Sequence, residues 1–374
     1  MQQVVAASVG VAFDVGPLAG RLTGIGAGVA ALRSVLATDD RVSLLPYLLS
    51  WRAEPGPDVT RLPVPAAVAH RLWSRLDHPQ VDRWLDGAAV IHGTNYVVPP
   101  SKLPRLVSVY DCWFLRQSAH AQPAVHRAGH VLRRAVTAGA VVHASSVATE
   151  QALRELLPGA VVRTVHLGPL VLPPAPTTAP IALGGAPFIL ALGTLERRKN
   201  LPLLVAAFGA VAARHAEVQL VLAGSEGDDA PAVHRAVDAL GPQLAPRVAF
   251  TGRVDEATRS WLLHHAAVLA YPSLDEGFGF PLLDAMQAGV PVVASTAGSI
   301  PEVAGDAALL STPDDGDALA ANLELALTSH SVRDHLVTAG ARQWQRFSWQ
   351  RCADEMVSLY HDVVAGRVDE SESR

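Results

Sequence analysis

The sequence predicts an α/β protein built from two doubly wound parallel sheets. Short runs of consecutive apolar residues, the mark of strands covered on both faces, alternate with helical patterns through the first half and again from 188 to 345. A stretch rich in proline, glycine and threonine, LGPLVLPPAPTTAPIALGGAP, separates the halves and reads as a linker. The 374 residues exceed one ordinary domain, and 49% hydrophobic with 17% charged residues supplies material for two cores. The expected division is 1–168, a linker at 169–187, 188–345, and a closing helix with tail at 346–374. A cleft is expected between the halves.

In order, a buried strand is expected at 4–13, then a glycine-rich turn, GPLAGRLTGIGAG at 16–28, and a helix at 29–36. Strands follow at 42–49, 90–92 and 106–110. The last runs into Asp111, at the strand end where open α/β sheets bind ligands. A strand at 141–146 ends in Ser145 and Ser146, either of which can cap a helix over 148–157. Beyond the linker come a strand at 188–192, the loop GTLERRKN at 193–200, and a helix at 201–213. Strands at 218–223, 248–251 and 268–271 follow, with a helix at 256–265. The run SLDEGFGFPLLDAMQAGVPVVAS then reads as loop, helix at 281–288, a left-handed stop at Gly289 and a buried strand at 290–293. A helix at 349–364 closes the chain, and no repeat period is visible.

Bulk properties narrow the function. A formal charge of −5 argues against a nucleic-acid surface, and two cysteines imply neither a disulfide framework nor a cysteine zinc site. The start, MQQ, lacks the basic residues of a signal peptide, and no apolar run reaches the ~18 residues of a membrane span. A cytoplasmic protein is therefore expected. Arg116, His126, Arg127, Arg133 and Arg134 make one region basic, which fits either a solvated helix face or a peripheral contact with the inner face of a membrane. Asp315-Gly316-Asp317 resembles a metal-holding triplet, but it precedes a helical run and reads as a cap; no metal is expected.

Two groups of residues point to anion chemistry. Arg197, Arg198 and Lys199 lie between a strand and a helix, placed to neutralise a diphosphate. Glu276 precedes Gly277 and Gly279, and a helix starting after two glycines offers orphan N–H groups to an anion. Asp284, about two turns on, is a second acceptor for hydroxyl groups.

EGFGFPLLDAMQAGVPVVAS resembles the acidic signature of glycosyltransferase family 4, the retaining nucleotide-sugar enzymes of GT-B fold. TGIG at 23–26, VSVYDCWFL, ASSVATEQAL, GTLERRKN, LVLAGSEG, FTGRV, SIPEVAGDAALL and FSWQRCADEM are similar to further family motifs in the family's order, over nearly the whole chain. The likeness is strongest to mannosyltransferase-type members. It implies two Rossmann-like domains facing a cleft, with the closing helix crossing back to the first. It implies that Arg198 and Lys199 bind the diphosphate, with Arg253 or Arg197 standing in for an arginine the family carries where this chain has Thr194. Glu276 would hold hydroxyls of the donor sugar, the backbone of Gly277, Phe278, Gly279 and Phe280 would face sugar and diphosphate, and Asp284 would hold the ribose. Gly24 and Gly26 belong to the amino-terminal glycine loop of the donor site. Asp111 is the candidate for positioning the acceptor hydroxyl or taking its proton. The chain departs from the pattern at Asp284, where the family has glutamate, and at Tyr110, where many members have histidine.

The implied reaction is transfer of a hexose, with mannose from GDP-mannose as the leading case, to a saccharide or lipid-linked saccharide. The nucleotide sugar is a co-substrate, and no cofactor is expected. A degenerate nucleotide-sugar-binding subunit and a GT-B epimerase are the alternatives.

Overall fold

The computed structural model describes residues 8–20, 22–51, 53, 56–116, 123–180, 183 and 185–368. The chain divides into two compact units, one of Met1–Gly168 with Phe347–Arg374, the other of Pro169–Arg346.

The first unit contains β1 (Val9–Asp14), α1 (Gly24–Leu36), β2 (Val42–Leu48), β3 (Thr60–Arg61), α2 (Ala66–Trp73), β4 (Val90–Gly93) and β5 (Arg105–Val109). It continues with α3 (Trp113–Arg116), α4 (Pro123–Thr137), β6 (Val141–Ala144), α5 (Val147–Leu156) and β7 (Val162–Thr164). All its strand pairs are parallel, in the order β3-β2-β1-β4-β5-β6-β7. The second unit has β8 (Phe188–Leu192), α6 (Leu201–Ala212), β9 (Gln219–Ala223), α7 (Ala230–Ala239), β10 (Val248–Gly252) and α8 (Glu256–His265). After these come β11 (Val268–Tyr271), α9 (Phe280–Gln287), β12 (Val292–Ser295), α10 (Ile300–Ala304), β13 (Ala308–Ser311), α11 (Gly316–Thr328) and α12 (His330–Gln343). Its parallel sheet runs β10-β9-β8-β11-β12-β13. The strand order reverses at β1/β4 in one unit and at β8/β11 in the other, and these switch points are where ligands enter such sheets.

The strands are apolar throughout because helices cover both faces: β4, β6, β11 and β12 are buried at every residue. α13 (Trp349–Ala365) starts at Ser348, whose hydroxyl accepts from the Arg351 N–H at 3.1 Å. It packs on α1, β1, β4 and β5 of the first unit, with Cys352, Ala353, Met356, Val357 and Tyr360 inward. A polar chain ties it to the sheet beneath. The Tyr360 hydroxyl lies 2.8 Å from His92 Nδ1, Ser108 Oγ lies 2.8 Å from both His92 Nε2 and His143 Nδ1, and His143 Nε2 lies 3.0 Å from the Val165 carbonyl. Burial pushes both imidazoles down, His143 to about 4, so both are neutral at ordinary pH.

The structure corrects several boundaries. Residues 4–7 of the expected first strand lie outside the described residues, and β1 begins at Val9. α1 begins at Gly24, five residues before the sequence expectation, because the Thr23 hydroxyl accepts from the Gly26 N–H at 3.2 Å and caps the helix. Gly24 and Gly26 are therefore in its first turn rather than in a loop. β12 begins two residues late because Val290 N–H still bonds back to Ala285 O at 2.9 Å. Asp315 does cap α11, accepting from the Ala318 N–H at 2.8 Å.

Candidate functional site

At the β8/β11 switch point the second unit gathers three charges. Lys199 Nζ donates to Glu276 Oε1 at 2.7 Å and Arg198 Nη1 to Glu276 Oε2 at 2.6 Å. Lys199 also donates to the Tyr271 hydroxyl at 3.0 Å, with its ammonium 4.6 Å from that ring's centroid. Arg198 reaches Glu196 Oε1 at 2.8 Å and the Asp275 carbonyl at 3.3 Å. Residues 197–199 form one 3₁₀ turn ended by Asn200 in the left-handed region. The Asn200 amide bridges the Pro272 and Pro313 carbonyls at 3.2 and 2.8 Å. Leu274 N–H donates to the Arg198 carbonyl at 2.7 Å, binding this turn to the loop that carries Glu276.

The Glu276 loop is clamped from behind. Ser295 Oγ donates to the Ser273 carbonyl at 2.5 Å, and Ser299 N–H to the Glu276 carbonyl at 2.9 Å. Gly298, at φ +56°, lies so close that a Cβ there would stand 2.3 Å from the Glu276 oxygen and 2.7 Å from its nitrogen. Gly279, at φ +91°, then turns the chain into α9, whose first turn carries Pro281.

Electrostatics fix the protonation states. Burial alone would raise the Glu276 carboxyl, but Arg198 and Lys199 outweigh it and hold it at about 2. Burial lowers the Lys199 ammonium while Glu276 opposes that shift. Each Glu276 oxygen already accepts one charged hydrogen bond, and a carboxylate's remaining lone pairs can accept from ligand hydroxyls. A small pocket opens beside the cluster, lined by Gly193, Lys199, Ala223, Tyr271 and Ser273 at the strand ends.

Other expected site residues are placed differently. Asp284 is only 2% exposed, and its Oδ2 accepts from Arg259 Nη2 of α8 rather than joining the Glu276 cluster. Gly277, Phe278 and Gly279 are buried in the turn, while Thr194, Arg197 and Arg253 are exposed; the Arg197 N–H donates to Asp228 at 3.1 Å. Asp111, in the first unit, uses one oxygen to accept from the Trp113 N–H at 3.1 Å and the other from the Tyr96 hydroxyl at 3.0 Å. Both of its oxygens are thus engaged in holding its own loop. Gly24 is exposed and Gly26 buried in α1. No group of three or more His, Cys, Asp or Glu suited to a metal occurs among the described residues.

Sequence reasoning missed Tyr271, Ser295, Gly298 and Arg259, and also Asp14. Asp14 ends β1 at the other switch point, accepts from the Gly16 N–H at 2.8 Å, and is pushed by burial up to about 7. Its position at a strand end followed by glycine was the available signal.

Residues 186–329 match the family model described as Glycosyl transferases group 1. That segment is similar to group 1 glycosyltransferases. Over 180 residues the chain is 34% identical to O-antigen chain mannosyltransferase B of Escherichia coli, covering 46% of this chain and 45% of that protein. Over 171 residues it is 33% identical to phosphatidyl-myo-inositol mannosyltransferase of Mycolicibacterium smegmatis, covering 45% and 43%. The matches thus span a little under half the length of these curated relatives. The fold extends further. Sucrose-phosphate synthase from Thermosynechococcus elongatus superposes with a TM-score of 0.74 at 21% identity, over 96% of this chain and 100% of that one. Anabaena HepE in complex with UDP-glucose superposes with a TM-score of 0.69 at 18% identity, over 94% and 99%. Both units are Rossmann-like, as in GT-B glycosyltransferases.

Proposed function

We propose that the chain is a retaining, metal-independent glycosyltransferase that moves a hexose, mannose as the leading case, from a nucleoside-diphosphate sugar to an acceptor hydroxyl. The observation that carries this reading is the buried Glu276–Arg198–Lys199 cluster at the β8/β11 switch point, beside the start of α9. Mannosyltransferases among the relatives and the UDP-glucose complex of HepE support the donor class.

The chemistry follows from where charge develops. Breaking the bond to the diphosphate leaves negative charge on phosphate and positive character on the sugar ring. Arg198 and Lys199 are fixed charges beside that anion and the positive end of the α9 dipole adds to them, the kind of preorganisation that contributes most to catalysis. Glu276, held ionised, accepts from sugar hydroxyls and orients the donor. In this reading the acceptor attacks from the face the diphosphate leaves, the departing phosphate taking its proton, so no side-chain nucleophile is assigned. Asp284 faces the ribose, and the acceptor lies with the first unit.

A degenerate nucleotide-sugar-binding subunit is the second reading, favoured by Tyr110 in the place of the family's histidine and by the sequestered Asp284. Release of nucleoside diphosphate from GDP-mannose, UDP-glucose and related donors separates the two. The enzyme reading expects turnover of one donor, reduced about a hundredfold or more in Glu276→Gln. Binding without turnover of any donor supports the degenerate subunit.

The acceptor reading extends to a lipid-linked saccharide at a membrane face. α2 and the turn after it expose Val68, Leu72 and Leu76 beside Arg71 and Arg75, and the neighbouring α4 adds Arg127, Arg133 and Arg134 with no acid in either helix. This face would cosediment with vesicles containing phosphatidylglycerol and not with pure phosphatidylcholine; equal binding to both, or to neither, contradicts it. No helix among the described residues is long and apolar enough to cross a membrane.

A further inference from the structure

Asp284 is the fifth residue of α9, and it stands where the resemblance has a longer acid. Its carboxylate is held by one oxygen only. Oδ2 accepts from Arg259 Nη2, while Oδ1 is buried with no hydrogen-bond partner among the described residues. A buried acceptor left empty costs about 1–3 kcal/mol, so a ligand hydroxyl reaching Oδ1 would find an unmet bond. Arg259 is the fourth residue of α8, its side chain 21% exposed, and its guanidinium donates to Asp284 Oδ2.

We propose that Arg259 is a positioning residue for the nucleoside end of the donor site, gripping Asp284 by one oxygen so that the other stays an acceptor for a ribose hydroxyl. The inference rests on the donor-site reading above and adds to it a residue outside the acidic signature. The shorter aspartate cannot reach as far as glutamate, and the guanidinium from α8 fixes it in one orientation.

Charge requires the arginine as much as geometry does. Burial pushes the Asp284 carboxyl up to about 6 even with Arg259 opposing the shift. Among the described residues Arg259 is the charge that opposes burial at Asp284, while Lys199 and Arg198 are committed to Glu276. Without the guanidinium the carboxyl would hold its proton at neutral pH and lose acceptor capacity.

Calorimetric titration of GDP and UDP, each against its 2′,3′-dideoxy analogue, tests this across pH. The wild-type protein should bind its preferred nucleotide about tenfold more tightly than the dideoxy form at pH 8. That preference should fade as the pH drops through about 6. Arg259→Met should lose the preference at pH 7 and regain part of it near pH 9, while Arg259→Lys should keep most of it. Arg259→Met combined with Asp284→Asn should match Asp284→Asn alone, because the arginine acts through the acid. Wild-type affinity and pH profile in Arg259→Met would overturn the inference. So would a double variant weaker than Asp284→Asn, since Arg259 would then touch the nucleotide itself. Failure of the wild-type protein to bind either nucleotide sinks the donor-site reading, and this inference with it.

Discussion

Glu276 is 6% exposed and bound by two cations, so its removal affects stability as well as turnover. Its folded carboxyl lies at about 2 against an ordinary 4.5. A depressed carboxyl stabilises the fold at pH above its unfolded value. That contribution is intact above about pH 4.5 and is lost as the pH falls toward 2. Glu276→Gln at pH 7 leaves Lys199 buried and uncompensated, and should cost about 3–5 kcal/mol in urea denaturation. Lys199→Met with Glu276→Gln should recover most of that stability without recovering turnover. A single variant as stable as wild type at pH 7 would contradict the buried triad. Glu276, Arg198 and Lys199 were legible in the sequence because charges stood at strand ends. Tyr271 was not, because a strand's last residue looks like core until its hydroxyl is placed. Asp284 was expected among donor contacts, and its tie to Arg259 could not be read, since the partners sit on different helices.

The loop that carries Glu276 owes its geometry to the turn after β12. Gly298→Ala would place a methyl against the Glu276 backbone at a positive φ, so the turn must move and the loop with it. Turnover should fall at least tenfold while nucleotide binding falls less, because Arg198 and Lys199 sit on a different loop. Unchanged turnover in Gly298→Ala would show that the clamp is dispensable. In the first unit the Tyr360 hydroxyl satisfies His92, and Tyr360→Phe leaves that buried nitrogen without a partner. A loss of about 1–3 kcal/mol on thermal unfolding is expected, and a neutral result would mean the polar chain does not hold α13. Helices 256–265 and strands 188–192 and 268–271 were legible because apolar runs and caps agreed. The start of α1 was not, since glycines at 24, 26 and 28 read as loop while the Thr23 cap made them helix. The two-residue β3 and the three-residue β7 lack the length to show a period at all.

At the scale of the molecule, the alternation of strands and helices was enough to give two parallel sheets, because helices on both faces force the strands to be apolar. Strand order was beyond periodicity, and it is strand order that places the charges at the switch point. The return of α13 to the first unit was legible through family resemblance, and its seven buried side chains account for it. Deleting residues 347–374 should therefore raise hydrogen exchange in β1, β4 and β5 while leaving β8 to β13 protected; equal loss in both units would contradict that assignment. Lys199 and its neighbours are proposed to hold a nucleoside diphosphate. The most direct test is the calorimetric dissociation constant for GDP and UDP in the wild-type protein and in Lys199→Ala, which leaves Glu276 paired with Arg198. Saturable binding of one nucleotide is expected, weakened about tenfold or more in the variant and falling with added salt. Equal affinity in the two proteins would contradict it.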